Sequence, residues 1–148
     1  MIVRKAKGSD IDQIVDFQIK MALETEQIHL QRLTVEKGVT AVVFDSAKGQ
    51  YYVTEINGNV VGSLLTTYEW SDWRNGTILW IQSVYILPDF RRKGVYRSMY
   101  THIKEVVQND SRLNGIRLYA DKSNIAAHKT YKNLGMNPDH YVTFEWMK

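Results

Sequence analysis

A run of cations beside a single glycine is the part of this chain best suited to chemistry. The segment 91–94 reads Arg-Arg-Lys-Gly, and Arg97 follows three residues later. The apolar run 78–86 before it is typical of a strand, and the apolar residues after it recur at helical spacing. These residues are Val95, Met99, Ile103, Val106 and Val107. The first N–H groups of a helix lack internal acceptors, so the segment predicts an anion site such as a phosphate site.

The sequence argues against three other interpretations of the segment 91–97. Most charge runs are solvated turns, but a glycine and a helix start at the same place favour a binding site. The Gly-x-x-x-x-Gly-Lys-Ser/Thr pattern of a P-loop is absent, and so is a Rossmann fingerprint. Nucleic-acid binding is a third interpretation, but the net charge of +3 is too small to argue for it.

The composition bounds the class of protein. A chain of 148 residues predicts one domain over 1–148 with a real core. The absence of cysteine excludes disulfides and thiolate catalysis, and the four histidines show no metal-ligand spacing, so we predict no metal. No run of 18 apolar residues exists, and the N-terminus has no apolar signal region. The expectation is a cytoplasmic protein with no membrane and no nucleic-acid partner.

Apolar periodicity and turn residues predict the order of the elements. Strands are expected at 1–7, 51–56, 60–68, 78–86, 116–120 and 141–146, and helices after Ser9-Asp10, at 35–44, at 94–108 and from the 121–124 turn to 134. Asn-Gly at 57–58 and at 75–76 predicts two tight hairpins, and Gly135 fits the end of the last helix. The segment 109–115 is expected to be a polar loop.

These elements predict an α+β fold. Its mixed, mostly antiparallel sheet should have six to seven strands and a central parallel βαβ pair, flanked by about four helices. A ligand crevice is expected beyond the carboxyl ends of the two parallel strands. The segments 91–97 and 121–124 both follow those ends.

The residues of the cationic turn also carry a family resemblance. Arg91 to Tyr96 resembles the Arg/Gln-x-x-Gly-x-Gly/Ala signature of the GNAT superfamily of N-acetyltransferases. The segment 84–88 is similar to that family's fourth strand. The pattern Asn124-x-x-Ala127-x-x-x-Tyr131-x-x-x-Gly135-Met136 resembles its second cofactor motif. Tyr96 stands where the family has Gly or Ala, so its ring must point away along the helix.

The resemblance implies transfer of the acetyl group of acetyl-CoA to a primary amine by direct attack on the thioester. The amine would belong to a small molecule, an amino acid or a peptide, and a homodimer is possible. Tyr131 would protonate the leaving thiolate, and a backbone N–H near Val84 would polarise the carbonyl. The cofactor-binding residues would be Val84, Tyr85, Ile86, Arg91, Arg92, Lys93, Gly94, Val95, Tyr96, Arg97, Asn124 and Ala127.

Several roles keep structural alternatives. Tyr131 also fits an apolar helix stripe, Asn124 fits a helix N-cap, and Gln82-Ser83 is either a bulge or a polar pair satisfied by its neighbours. The base that deprotonates the amine is sought among Glu24, Glu26 and Glu69, which could equally be solvated carboxylates. The alternative function is an acyl-CoA sensor without turnover.

Overall fold

The structure is a computed structural model that describes all of residues 1–148. The chain forms two compact units, Met1–Arg117 and Leu118–Lys148.

The first unit is built on a five-stranded sheet. Its strands are β1 (Ile2–Lys5), β2 (Gln50–Ile56), β3 (Asn59–Ser71), β4 (Gly76–Ile86) and β5 (Leu113–Arg117), in the order β1-β2-β3-β4-β5. Its helices are α1 (Ile11–Glu26), α2 (Arg32–Phe44) and α3 (Val95–Asn109). The first four strands are antiparallel neighbours, and β5 is parallel to β4. A mixed, mostly antiparallel sheet with one parallel βαβ pair is therefore confirmed. The pair is not central as predicted, because β5 is the edge strand.

The predicted number of six to seven strands is wrong, because the segment 141–146 forms no strand. A weak apolar alternation over six residues supplies no hydrogen-bonding neighbour, and a strand needs one. The strand predicted at 116–120 also lies earlier. Its pairing with β4 begins at Thr77 opposite Leu113 and stops at Trp80 opposite Arg117, so the last three residues of the predicted loop 109–115 are strand.

The helices of the first unit cover both faces of the sheet. On one face, Ile14 of α1 and Val39 of α2 belong to a buried cluster with Tyr51 and Val53 of β2. On the other face, the ring of Tyr52 meets His102 of α3, with centroids 5.5 Å apart. Because neighbouring residues of a strand point to opposite faces, this alternation places α1 and α2 together and α3 opposite them.

The two predicted hairpins differ. Asn57 (φ 51°) and Gly58 (φ 78°) are both left-handed, which confirms the type I′ turn between β2 and β3. The second hairpin is confirmed, because β3 and β4 pair antiparallel, but the expected two-residue turn at 75–76 is wrong. Only Asn75 is left-handed (φ 47°), and a four-residue loop (72–75) joins Ser71 to Gly76. Gly76 is needed for space, because a Cβ there would lie 1.7 Å from the side-chain oxygen of Asn114.

Asp10 takes the predicted N-cap position of α1, but its carboxylate does not cap the helix. It accepts hydrogen bonds from Arg4 Nη1 at 2.7 Å and from the backbone N–H of Lys7 at 2.7 Å. The hydrogen bond from Arg4 lowers the pKa of Asp10 despite its burial. The pair thus fixes β1 to the start of α1.

The second unit contains one helix, α4 (Ile125–Asn133), which brings the total to the four helices predicted. Gly135 (φ 85°) ends the helix as predicted. Its N–H donates to the carbonyl of Lys132 at 3.0 Å, and Met136 N–H donates to Tyr131 at 3.1 Å. This pair of bonds is a Schellman motif. Residues 136–148 form neither helix nor strand.

Candidate anion-binding site and its surroundings

The cationic turn lies between β4 and α3. After Ile86, a short 3₁₀ turn (Pro88–Phe90) leads into the segment 91–94. Arg92 (φ 61°) and Gly94 (φ 80°) are both left-handed. Left-handed residues within a turn are one means of building the backbone nests that bind anions. The local backbone therefore suits the predicted phosphate site.

The N-terminus of α3 has no side-chain cap. Gly94 occupies the N-cap position, and the first bond within the helix runs from Ser98 N–H to the Gly94 carbonyl at 3.0 Å. The N–H groups of Val95 and Arg97 come before that bond in the chain, so no carbonyl of the same helix lies one turn earlier to accept from them. A Cβ added to Gly94 would meet nothing within 4 Å, so the turn opens onto free space.

The cations of the turn divide into two sets. Arg92, Lys93 and Arg97 are exposed and form no ion pair. Arg91 is engaged instead, because its Nε donates to the carbonyl of Ile86 at 2.8 Å and its Nη2 donates to Glu24 Oε2 at 2.7 Å. Arg91, which the sequence predicted to bind the cofactor, is therefore bonded to Glu24, which it predicted to bind the substrate.

Tyr85 completes this cluster on the side of α1. Its hydroxyl donates to Glu24 Oε1 at 2.8 Å, and its ring lies 5.3 Å from the Arg91 guanidinium. Partial burial alone would raise the pKa of Glu24, but the hydrogen bonds from Arg91 and Tyr85 hold that pKa below its usual value. Burial, followed by the hydrogen bond to Glu24, raises the pKa of the Tyr85 hydroxyl.

The bulge expected in β4 is present. Ser83 is left-handed (φ 51°), and the pairing shifts from Leu65 opposite Gln82 to Ser63 opposite Tyr85. The polar-pair interpretation holds as well, because Gln82 Nε2 donates to Thr67 Oγ1 at 2.6 Å.

The edge of β4 next to the cationic turn has no paired strand in the first unit. Pairing with β5 ends at Trp80, so Tyr85 and Ile86 pair only with β3 within residues 1–117. Val84 lies within the bulge, between the paired residues Gln82 and Tyr85. An extended ligand could bond to that backbone as an added strand does.

Glu69 lies in a second cluster, on the sheet face that also carries Leu65. Its oxygens accept from Trp80 Nε1 and from Arg117 Nη1, both at 2.6 Å. The hydrogen bond from Trp80, with that from Arg117, lowers the pKa of Glu69. Sequence reasoning missed Arg117, although a lone cation between Ile116 and Leu118 is a signal of a partner across the sheet.

Glu26 belongs to neither cluster. It is the last residue of α1 and is exposed, with no hydrogen bond to its carboxylate. A lowered pKa makes Glu24 and Glu69 weaker bases, so their settings favour binding or positioning over proton removal.

The remaining predicted residues lie in the second unit. Asn124 Oδ1 accepts from Ala127 N–H at 3.0 Å, which confirms the N-cap interpretation. Tyr131 lies one turn after Ala127 on α4. Ala127, Tyr131 and Leu134 are each half-buried. In the first unit, the ring of Tyr96 stacks on Tyr100, one turn along α3, with centroids 6.4 Å apart. This placement agrees with the requirement that its ring point along the helix.

The mixed sheet with one parallel pair, and the cationic turn between β4 and α3, agree with the acyltransferase class that the sequence resemblance implies. The sequence model of the acetyltransferase (GNAT) family matches residues 12–136. The chain belongs to this family.

Solved structures agree with this membership. A possible acetyltransferase from Clostridium difficile 630 is 41% identical with a TM-score of 0.92, over 99% of this chain and 97% of its own. The ribosomal-protein-alanine N-acetyltransferase from Brucella melitensis biovar Abortus 2308 is 13% identical with a TM-score of 0.80, over 99% of each chain. A predicted acetyltransferase with acetyl-CoA from Clostridium acetobutylicum is 18% identical with a TM-score of 0.75, over 97% and 95%. No curated protein matches the chain.

The structure has neither a candidate metal cluster nor a candidate membrane-spanning helix. No three His, Asp or Glu side chains come together where they could hold a metal ion. None of the four helices has both the length and the apolar composition needed to cross a membrane.

Proposed function

We propose that this chain transfers the acetyl group of acetyl-CoA to a primary amine of a small molecule, an amino acid or a peptide. The observation that carries the proposal is the uncapped, cationic N-terminus of α3 directly after β4. The solved acetyltransferase from Clostridium acetobutylicum, which has the same fold, contains acetyl-CoA.

The residues present fit such a ligand. CoA carries a diphosphate, which suits the N–H groups of the first turn of α3 and the side chains of Arg92, Lys93 and Arg97. The backbone of Val84 to Ile86 would hold the pantetheine arm along the free edge of β4. When bound, acetyl-CoA supplies an acetyl thioester that an amine can attack.

We assign Tyr131 as the acid that protonates the departing thiolate. A phenol with a pKa of about 10 can protonate a thiolate, and its hydroxyl is the only titrating group of the side chain. Asn124 uses its carbonyl oxygen to cap α4, which leaves its amide N–H groups for the cofactor arm. Ala127, the partner in that cap, would lie beside the arm.

The acceptor amine is assigned to the surroundings of Glu24, Glu26 and Glu69. The first and third are paired with arginines that offset their charge, so they suit positioning of the acceptor by hydrogen bonds more than attraction of a cation. Glu26 has no partner and is the most available proton acceptor of the three, directly or through a water. An acceptor with a single amine fits this balanced charge.

A thiol-release assay with acetyl-CoA and a panel of amines, amino acids and peptides tests the proposal. We expect turnover with at least one class of amine. Tyr131→Phe should lower kcat by about ten- to a thousandfold while leaving CoA affinity near that of the wild type. An unchanged kcat would reject Tyr131 as the acid. Tight CoA binding without turnover on any amine would instead support the acyl-CoA sensor.

Three broader expectations belong to the same proposal. We assign all of residues 1–148 to one acetyltransferase domain, because the family match at 12–136 runs through both compact units. The resemblance allows a homodimer, and the cytoplasmic location expected from the sequence belongs to the same proposal. Analytical ultracentrifugation of the purified chain tests the homodimer, and a mass of 17.2 kDa in solution would contradict it.

A further inference from the structure

We propose that Arg91 is a positioning residue, held by Glu24, that fixes the cationic turn to the end of β4. Contact with the diphosphate is left to Arg92, Lys93, Arg97 and the backbone. The inference rests on the proposed function and deepens it, since it separates the cations of one motif into two roles.

Two donors along one edge of the Arg91 guanidinium, Nε and Nη2, are already used. Nε donates to the carbonyl of Ile86, the last residue of β4, and Nη2 donates to the carboxylate of Glu24. The backbone N–H of Arg91 donates to the Pro88 carbonyl at 3.1 Å. Because the guanidinium is planar and rigid, two bonds from it determine the position of the turn relative to the strand.

Glu24 is itself anchored to the sheet. Its second oxygen accepts from the hydroxyl of Tyr85, whose side chain is only 3% exposed and whose ring lies 5.2 Å from that of Phe17. The last turn of α1, where the amine acceptor is expected, is thereby tied to the first residue of the cationic turn. A shift of α1 would move the turn with it.

The charge balance supports the same division of roles. The charge of Arg91 is offset by Glu24 at 2.7 Å, so the pair presents little net field to an anion. Arg92, Lys93 and Arg97 have no acidic partner, and they supply the positive potential of the turn.

The variant Glu24→Gln tests the inference, because the two explanations predict opposite changes in its affinity for CoA. If only charge matters, Glu24→Gln removes a negative charge near the diphosphate and should tighten CoA binding. If Glu24 positions Arg91, the same variant should weaken CoA binding by about two- to fivefold. Titration calorimetry with CoA at a temperature well below the thermal midpoint separates the two.

Glu26→Gln is the matched control, because it removes the same charge from the same helix end without breaking a contact. We expect its dissociation constant for CoA to be unchanged or slightly lower. An equal tightening in both variants would overturn the inference.

Arg91→Lys keeps the charge but loses the fork, and it supplies an independent test. We expect it to bind CoA as weakly as Arg91→Gln, because a lysine cannot reach both acceptors at once. Arg92→Lys should retain most of the affinity that Arg92→Gln loses. Wild-type affinity in Arg91→Lys, with a loss in Arg91→Gln, would make Arg91 a direct phosphate ligand and contradict the inference.

Two further measurements keep the outcomes distinct. If wild-type protein fails to bind CoA, the proposed function itself is wrong, whereas wild-type binding with an unshifted Glu24→Gln rejects only the positioning role. If Glu24→Gln is unfolded at the assay temperature, Tyr85→Phe removes one anchor of the same carboxylate. Unchanged CoA affinity in that variant would also count against the inference.

Discussion

The two helices that follow the parallel strands begin in opposite ways. At the start of α3, Gly94 offers no side chain to accept from the first-turn N–H groups, and a Cβ added there would meet nothing within 4 Å. At the start of α4, Asn124 accepts from Ala127 N–H at 3.0 Å, and the carboxylate of Asp121 accepts from Ser123 N–H at 2.7 Å. A helix that supplies its own acceptors has less to offer a phosphate, so we propose the uncapped helix as the diphosphate site.

Charge follows the same division. The start of α3 carries three cations without an acidic partner, Arg92 and Lys93 in the preceding turn and Arg97 in the first turn of the helix. The turn before α4 contains its own anion, because the hydrogen bonds from Ser123 lower the pKa of Asp121. The start of α3 therefore suits an external anion, whereas the turn before α4 contains an anion of its own, Asp121.

Making α3 resemble α4 should have the largest effect. Gly94→Asp adds a carboxylate where the diphosphate is expected, in a left-handed conformation that Asp tolerates. We expect CoA affinity to fall by roughly a hundredfold, since like charges about 4 Å apart cost 1–4 kcal/mol. Titration calorimetry measures the change. Gly94→Asn is the uncharged control and should lose much less, and equal affinity in wild type and Gly94→Asp would refute the assignment.

Removing single cations should have the next largest effect. Arg92→Gln, Lys93→Gln and Arg97→Gln should each weaken CoA binding by about three- to tenfold, and less so at high salt. Lys122→Gln, in the turn before α4, is the matched control and should leave the dissociation constant unchanged. The comparison of the two termini breaks if Lys122→Gln matters as much as the others.

Local signals allowed these two helix starts to be predicted from the sequence. Gly94 before an apolar helical stripe predicts the start of α3, and Asn124 and Gly135 predict both ends of α4. All three signals lie within a few residues of the feature they determine. They therefore act through backbone geometry that short-range contacts decide.

Features that depend on distant residues escaped prediction. Glu24 and Arg91 are 67 residues apart, and Glu69 and Arg117 are 48 apart, so no spacing rule connects them. The start of β5 follows from its pairing register with β4, and the segment 141–146 lacks the neighbour that its alternation anticipated. Strand number depends on pairing, which a single segment does not encode.

Removing the cap of α4 should have a moderate effect on local stability. Asn124→Ala leaves the Ala127 N–H without its acceptor and should cost about 1 kcal/mol. Amide hydrogen exchange in residues 127–133 measures the loss, and Asn124→Ser should retain the protection. Undiminished protection in Asn124→Ala would mean that this terminus does not depend on its cap.

The acid end of the pH range should show the smallest effect. Because the folded chain lowers the pKa of Asp121, the contribution of this carboxylate is present above its unfolded pKa of about 3.9. It is lost as the pH falls through the lower folded value. The amide shift of Ser123, followed by NMR, should stay constant from pH 7 to about pH 5 and change below about pH 4. A titration of that shift near pH 5 or above would contradict the bond to Asp121, and Asp121→Asn should abolish the change.

A crystal structure of the chain with CoA tests the central assignment most directly. We expect diphosphate oxygens about 2.7–3.2 Å from backbone nitrogens in the first turn of α3, with Arg91 still bonded to Glu24. A bound CoA whose diphosphate lies elsewhere, with that turn vacant, would contradict it.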